Sequence, residues 1–242
     1  MVIALRHHED AYLQTIRAFD MAEKYQIPVI LLSDQYLADA TATIPVQDPK
    51  RVKPDEPEGI PEEGEYARYR YTESGVSPRL IPGGRRGFAA ADSDEHDEFG
   101  RIIEDADTRT RMMDKRMGKL ELLKGELQEP ELLGIAEPDV LLIGWGSLYG
   151  PLDEAVRLLN EKGGKTYGAL VFGDIWPLPQ KKLEEMAKKA KAVLNVEQNY
   201  TGQLASLVRG ETGIKVSASV LKYDGRQLSG EEIALRVAGE GF

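Results

Sequence analysis

Val196-Glu197-Gln198-Asn199-Tyr200-Thr201-Gly202-Gln203-Leu204 closes one of the strand-like runs between Asp139 and Lys222, and its reading sets the fold. A strand that runs into polar groups and then a glycine is the pattern found at the carboxyl edge of an open α/β sheet, where such folds place their working residues. Working outward, strands over Val140–Ile143, Thr166–Val171, Ala192–Val196 and Val216–Leu221 alternate with helices over Leu152–Glu161, Gln180–Lys191, Gly202–Glu211 and a last one from Glu231. That alternation implies parallel β-α-β units with right-handed crossovers. Ser229 ahead of Glu231-Glu232 reads as an N-cap followed by acidic first-turn residues. No internal repeat is visible.

Upstream, Tyr12, Ile16, Phe19 and Ala22 recur at helical spacing between Glu9 and Tyr25, which predicts an amphipathic helix with that stripe inward. Pro28 closes it, and Val29-Ile30-Leu31-Leu32 follows as the continuous aliphatic run of a parallel strand covered on both faces. Strands to flank it are not found upstream, so they are expected from another chain or are missing. Pro45 to Gly87 holds seven of the thirteen prolines, several acidic residues and no sustained period, the signature of a connector. Its Tyr66, Tyr69 and Tyr71 give it a reason to lie on a surface. Ile102, Ala106, Met113, Met117 and Leu120 then keep one face of a long helix expected to begin near Asp97. The expected domains are 1–45, the end of a first domain; 46–128, a connector with its helix; and 129–242, the parallel-sheet domain.

With 41% hydrophobic residues in 242, the chain can bury one large core or two modest ones. A formal net charge of −10 leaves no basic surface of the kind that gathers nucleic acid or anionic lipid, so neither partner is expected. There is no cysteine, which excludes disulfides, thiolate zinc sites and iron–sulfur ligation by this chain. Val2–Leu5 is too brief for a signal-peptide core, and Gly144 stops the run Val140–Ile143 far short of a membrane span. A cytoplasmic location is the simplest expectation.

Several motifs each allow two readings. Gly144-Trp145-Gly146-Ser147 between strand and helix is either a phosphate-binding turn, though without the third glycine of a dinucleotide fingerprint or the lysine of a P-loop, or a tight turn where glycine permits close approach. Asp94-Glu95-His96-Asp97-Glu98 is either a divalent-metal site or, lacking a second histidine, helix capping plus interface contacts. His7 and His8 are expected to be solvated. Asp34 and Gln35 follow a strand, where ligands bind and where an aspartate also serves as a cap. Glu197, Gln198 and Asn199 contact a ligand or partner, or satisfy backbone groups at the turn into the next helix. With no Gly-x-Ser-x-Gly and no cysteine nucleophile, no catalytic residue and no metal ligand is assigned.

Four segments resemble the alpha subunit of 2-oxoacid:ferredoxin oxidoreductases. Ala22 to Leu37 (Ala-Glu-Lys-Tyr-Gln-Ile-Pro-Val-Ile-Leu-Leu-Ser-Asp-Gln-Tyr-Leu) resembles the closing helix and strand of its first, thiamine-fold domain. Arg79-Leu80-Ile81-Pro82-Gly83 and Asp94-Glu95-His96-Asp97-Glu98-Phe99-Gly100 resemble its inter-domain connector, and Val196 to Leu204 resembles a stretch of its second domain, of transketolase C-terminal type. The resemblance implies attack on a 2-oxoacid by thiamine diphosphate, decarboxylation, single-electron transfer to an iron–sulfur cluster and release of an acyl-CoA. It places thiamine diphosphate, magnesium and the cluster mainly on a beta subunit, in agreement with the lack of cysteine. It also implies ferredoxin and coenzyme A at the level of the complex, an oligomer, and 2-oxoglutarate as the 2-oxoacid, on the connector variant Glu95-His96-Asp97-Glu98.

The family's Tyr-Pro-Ile-Thr-Pro segment and substrate arginine have no match here. The chain is thus expected to be the C-terminal portion of an alpha subunit, truncated or split, with the rest of that subunit a further partner, and no cofactor-binding residue carries over. His96, Asp97, Glu98, Glu197 and Asn199 are the residues expected at subunit or domain contacts. Two rivals stand beside this reading: a non-catalytic interaction module that kept the fold, and a nucleotide-binding domain using Gly144 to Gly146.

Overall fold

A computed structural model of the chain describes residues 1–47, 65–80, 89–239 and 241. Ile81 to Gly83 of the connector motif and the acidic stretch from Asp55 to Glu63 lie outside the described residues. Two compact units divide the chain, the first comprising Met1–Ala18, Val29–Gln47 and Leu127–Phe242, the second Phe19–Pro28 and Asp48–Glu126.

The first unit opens with β1 (Val2–Ala4), continues into α1 (His8–Tyr25), which runs on into the second unit, and resumes with β2 (Ile30–Leu32) and α2 (Gln35–Asp39). β1 corrects the expectation that nothing upstream flanks Val29 to Leu32. It pairs parallel to β2 in the register Val2↔Ile30, Ile3↔Leu31, Ala4↔Leu32, and Ile3 and Ala4 are fully buried. A three-residue strand at a terminus is too short to show a period, and its neighbours hold it in place. β2 is a sheet edge instead of a doubly covered strand, with Ile30 54% exposed.

The rest of the unit contains β3 (Glu131–Gly134), β4 (Val140–Trp145), α4 (Tyr149–Lys162), β5 (Tyr167–Phe172), β6 (Asp174–Trp176), α5 (Lys181–Lys189), β7 (Ala192–Glu197), α6 (Gln203–Thr212), β8 (Ala218–Leu221) and α7 (Gly230–Gly239). Five strands form the main sheet in the order β3-β5-β4-β7-β8, and β6 joins the small sheet β2-β1-β6 antiparallel to β1. Helices cover both faces of the main sheet. Val140 and Leu142 pack with Leu152, Leu159, Ile233 and Val237 on one side, while Leu141 and Ile143 pack with Leu183, Met186, Leu204 and Val208 on the other. Successive strand residues point to opposite faces, so a doubly covered strand must be apolar throughout, and each such side chain contributes about 2 kcal/mol of burial.

The sheet is mostly parallel, but its edge strand β3 runs antiparallel to β5, a strand the sequence reading lacks. At its end Gly134 takes φ +75°, and a Cβ there would overlap Val156 and the Tyr167 carbonyl. Ser229 does cap α7, its hydroxyl accepting the Glu232 N–H at 3.2 Å. No helix among the described residues is long and apolar enough to cross a membrane.

In the second unit, α3 (Ala106–Leu123) begins later than expected, at Asp105, whose carboxylate accepts the Thr108 N–H at 2.8 Å. The residues from Asp94 form a turn instead, tied by the bridge His96↔Ile102 and by the Ile103 N–H to the Glu95 carbonyl at 3.0 Å. α3 buries Met112, Lys119 and Leu123 and leaves Met117 53% exposed, so its inward face differs from the predicted apolar stripe. The face of α1 differs likewise. Asp10, Gln14 and Ala18 are buried in the first unit and Met21 and Tyr25 in the second, whereas Phe19 is 70% exposed.

Candidate functional site

From β4 the chain crosses through α4 to β5 on one side, and from β5 through α5 to β7 on the other. The connections therefore diverge at the carboxyl ends of β4 and β7, the switch point where open α/β sheets form their crevice. Trp145 ends β4 and Glu197 ends β7. Glu197 is fully buried. Its Oε1 accepts from Asn195 Nδ2 at 2.9 Å, the Leu204 N–H at 2.9 Å and the Ala205 N–H at 3.2 Å. Its Oε2 accepts from Trp145 Nε1 at 3.1 Å, Asn199 Nδ2 at 2.6 Å and the Leu204 N–H at 3.0 Å.

The N-cap position of α6 is Gly202, in the left-handed conformation, which has no side chain to offer. Glu197 takes over the capping and meets the positive end of the helix with its charge. These donors fill the lone pairs of a carboxylate, leaving none for a ligand. Asn199 braces the same turn, its Oδ1 accepting the Gly202 N–H at 2.7 Å, and Gln198 Oε1 accepts the Leu228 N–H at 2.9 Å. The loops so fixed present Tyr200 and Tyr223, exposed and edge to face with ring centres 4.8 Å apart.

Beside Trp145 lies an apolar cleft of about 120 Å³, lined by Leu32, Trp145, Ile175, Gln203, Leu204 and Leu207. It is smaller than the several hundred Å³ that a cofactor or substrate pocket needs. The turn Gly144 to Ser147 is filled by protein. A Cβ on Gly144 would lie 2.6 Å from Leu152 Cδ1 and 3.2 Å from the Val196 carbonyl, and one on Gly146 would stand 3.6 Å from Ala4 and the Leu5 carbonyl. Ser147 hydrogen-bonds Asp34, which also caps α2 by accepting the Leu37 N–H at 2.9 Å. The close-packing reading of these glycines and the capping reading of Asp34 hold.

Sequence reasoning missed a buried polar stripe on α1. Asp10 and Gln14, with Arg17 beyond them, follow one helix face, a spacing visible in the sequence beside the apolar stripe. Asp10 accepts from the Arg6 backbone at 3.0 Å and from its guanidinium at 2.7 and 3.2 Å. Burial pushes the Asp10 carboxyl up, but the Arg6 bonds outweigh it and hold the group below its usual range. Arg6 also reaches Glu131 at 2.9 Å, and Glu131 accepts the Tyr149 hydroxyl at 2.8 Å. Burial and that carboxylate push the Tyr149 phenol up to about 12. Arg17 grips fully buried Asp174 with two bonds of 2.6 and 2.7 Å, and Asp174 also accepts the Gln128 N–H at 2.8 Å.

His7 and His8 are half-buried instead of solvated. His7 Nδ1 accepts the Asp10 N–H at 3.3 Å, and His8 Nε2 stands 3.0 Å from the Ala40 carbonyl.

His96, Asp97 and Glu98 share one turn of the second unit. The His96 ring lies on Tyr69 with centres 3.9 Å apart, and its Nδ1 is 3.0 Å from the Asp97 carbonyl. Asp97 Oδ1 accepts the Phe99 and Arg101 N–H groups, each at 2.9 Å, and Glu98 Oε1 accepts the Tyr71 N–H at 2.8 Å. Glu95 binds Arg116 and Arg109, and those guanidiniums, Arg116 foremost, pull its carboxyl down to about 2 although burial pushes it up. Among the described residues no group of three or more His, Asp or Glu side chains could hold a metal ion.

Two family models match in tandem. "Pyruvate flavodoxin/ferredoxin oxidoreductase, thiamine diP-bdg" covers residues 1–115, and "Pyruvate:ferredoxin oxidoreductase core domain II" covers 138–233. The chain is 36% identical over 242 residues to 2-oxoacid:ferredoxin oxidoreductase 2, subunit alpha, of Aeropyrum pernix, covering 97% of this chain and 37% of the relative. It is 31% identical over 243 residues to 2-oxoglutarate oxidoreductase subunit KorA of Mycobacterium tuberculosis, covering 96% and 35%. It thus spans little more than a third of the length of these relatives. Among solved structures, a 2-oxoglutarate:ferredoxin oxidoreductase from Magnetococcus marinus with 2-oxoglutarate, coenzyme A and succinyl-CoA bound superposes with a TM-score of 0.91 at 32% identity, over 99% of this chain and 42% of that one. In both of its parts and in their order, the chain belongs to the alpha-subunit family of 2-oxoacid:ferredoxin oxidoreductases.

Proposed function

We propose that this chain works as alpha-subunit polypeptide in a thiamine-diphosphate-dependent 2-oxoacid:ferredoxin oxidoreductase of the cytoplasm, which decarboxylates 2-oxoglutarate or a related 2-oxoacid to its acyl-CoA and passes the electrons to ferredoxin. The likeness over 99% of the chain to a structure with 2-oxoglutarate, coenzyme A and succinyl-CoA bound carries the reading. The glycine turn Gly144 to Ser147 does not fit a diphosphate, because a Cβ at Gly144 would already meet Leu152 and the Val196 carbonyl. The iron–sulfur cluster is assigned to a beta subunit because this chain has no cysteine to ligate it, and the family resemblance places thiamine diphosphate and magnesium there with it. His96, Asp97, Glu98, Glu197 and Asn199 support subunit or domain contacts by fixing the turns that carry exposed neighbours such as Tyr200.

The test is co-purification with a thiamine- and cluster-binding beta subunit and the rest of the alpha-subunit polypeptide, followed by an assay of coenzyme A-dependent ferredoxin reduction. Faster reduction with 2-oxoglutarate than with pyruvate is expected. A complex that forms and reduces ferredoxin with no 2-oxoacid would replace this reading with that of a non-catalytic interaction module. The full satisfaction of Glu197 within this chain favours that module.

A further inference from the structure

Three cationic side chains of the second unit converge with no ion-pair partner among the described residues. Lys115 Nζ donates to the Tyr69 carbonyl at 3.0 Å and to Ser77 Oγ at 2.7 Å. One turn along α3, buried Lys119 donates to the Gln26 carbonyl at 2.9 Å. Arg68 reaches Gln26 Oε1 at 3.5 Å and lies over the Tyr69 ring, 5.2 Å from its centre. Gln26 is tied to Ser77 in turn, its Nε2 donating to the Ser77 carbonyl at 2.6 Å and its Oε1 accepting the Ser77 N–H at 3.3 Å. Gln26 and Ser77 thus bring Arg68, Lys115 and Lys119 to one place. Gln26 also holds the strained φ of 49°, the one positive value on a non-glycine among the described residues.

Every acceptor these cations use among the described residues is neutral. Among the described residues no carboxylate forms an ion pair with any of the three, and nearby Arg116 is already paired with Glu95. Gln26 follows the C-terminus of α1, whose dipole supplies only about half a negative charge against three positive ones. An ammonium carries three N–H donors and a guanidinium five, so among the described residues most donors of Lys119 and Arg68, and one of Lys115, find no acceptor. Burial and the neighbouring Lys119, Arg68 and Arg116 pull the Lys115 ammonium down to about 8, an effect the Glu98 carboxylate offsets only in part.

We propose that Arg68, Lys115 and Lys119, gathered around Gln26 and Ser77, bind a phosphate group, either free phosphate or the phosphate of a nucleotide. A phosphate matches three separate cationic heads better than a carboxylate does, because it carries close to two charges and three terminal acceptor oxygens. Arg68, Lys115, Lys119, Gln26 and Ser77 all belong to the second unit.

The test is thermal unfolding of the full chain at constant ionic strength, titrated separately with inorganic phosphate, adenosine 3′,5′-bisphosphate and sodium chloride. A saturable rise in Tm with phosphate or the bisphosphate, and none with chloride, is expected. A lower midpoint for the bisphosphate identifies a nucleotide as the source, and equal midpoints identify free phosphate. Arg68→Gln should weaken either response about tenfold, while Lys188→Gln, on exposed surface of the first unit, should not change it. No saturable rise, or the same response in Arg68→Gln, overturns the proposal. Should Arg68→Gln not fold, phosphorus NMR of a phosphate titration with the natural chain decides, and the lack of saturable broadening or shift overturns it.

Discussion

The indole of Trp145 and the carboxylate of Glu197, the last residues of neighbouring parallel strands, join at 3.1 Å across the switch point of the main sheet. The contact links β4, β7 and the start of α6 through one buried charge. Glu197→Gln puts an amide donor where only donors converge, so the variant should lose about 2–3 kcal/mol of stability. A urea midpoint within error of the natural chain would show that the turn repacks without the charge.

The ion pair Arg17–Asp174 is buried and carries a severe expected cost on removal of one partner. Arg17→Leu leaves Asp174 fully buried beside the Gln128 N–H and should destabilise the chain by about 3–5 kcal/mol. Adding Asp174→Asn should recover part of that loss. A double-mutant cycle in denaturant measures it, and additive losses would mean the two side chains are not coupled.

Glu95 gives the second unit a defined acid response. Its carboxyl lies near 4.5 unfolded and is held at about 2 folded by Arg116 and Arg109. A depressed carboxylate stabilises the fold fully above the unfolded value and loses that contribution as pH falls through the folded one. The natural chain should therefore lose more stability than Glu95→Gln between pH 4.5 and 2. Parallel profiles would assign the acid response to other groups.

Lys115 gives the opposite limb. Its ammonium falls from 10.5 to about 8 on folding, so between those values the unfolded chain binds more protons and stability should rise with pH. Lys115→Met, compared with the natural chain in phosphate-free buffer, should flatten that rise. An unchanged slope would show that Lys115 stays protonated in the fold.

Ile30 lies 54% exposed on the free edge of β2, and its cross-strand neighbourhood includes Val2 and Trp176, the latter 41% exposed. An apolar edge strand is a template for pairing, so the isolated chain should self-associate. Light scattering should find Ile30→Lys smaller in mass at equal concentration. A monomeric natural chain would contradict the expectation.

The second domain was legible because its strands are covered on both faces. Val140 to Ile143 is apolar at every position, which no solvent-facing strand permits, and the helices between such runs force a parallel sheet. The elements that escaped, β1, β3 and β6, are three or four residues long, and pairing partners far away in the chain set their register. The same non-locality hid the faces of α1 and α3. Periodicity assigned Phe19 and Met117 inward, but Asp10, Gln14 and Lys119 are the residues whose polar groups find buried partners.

Amino-acid order by itself determined the fold class, the family resemblance carried by Val196 to Leu204, and the exclusion of cysteine chemistry, because these depend on local pattern and residue type. Only the tertiary structure decided what the polar residues do. Glu197, Asn199 and Asp34 have chemistry fit for a ligand, yet whether a carboxylate caps a helix or meets a substrate depends on which donors the packed chain brings within hydrogen-bond distance. The same packing brings Arg68, Lys115 and Lys119 together with no ion-pair partner among the described residues, a convergence that no spacing along the sequence discloses.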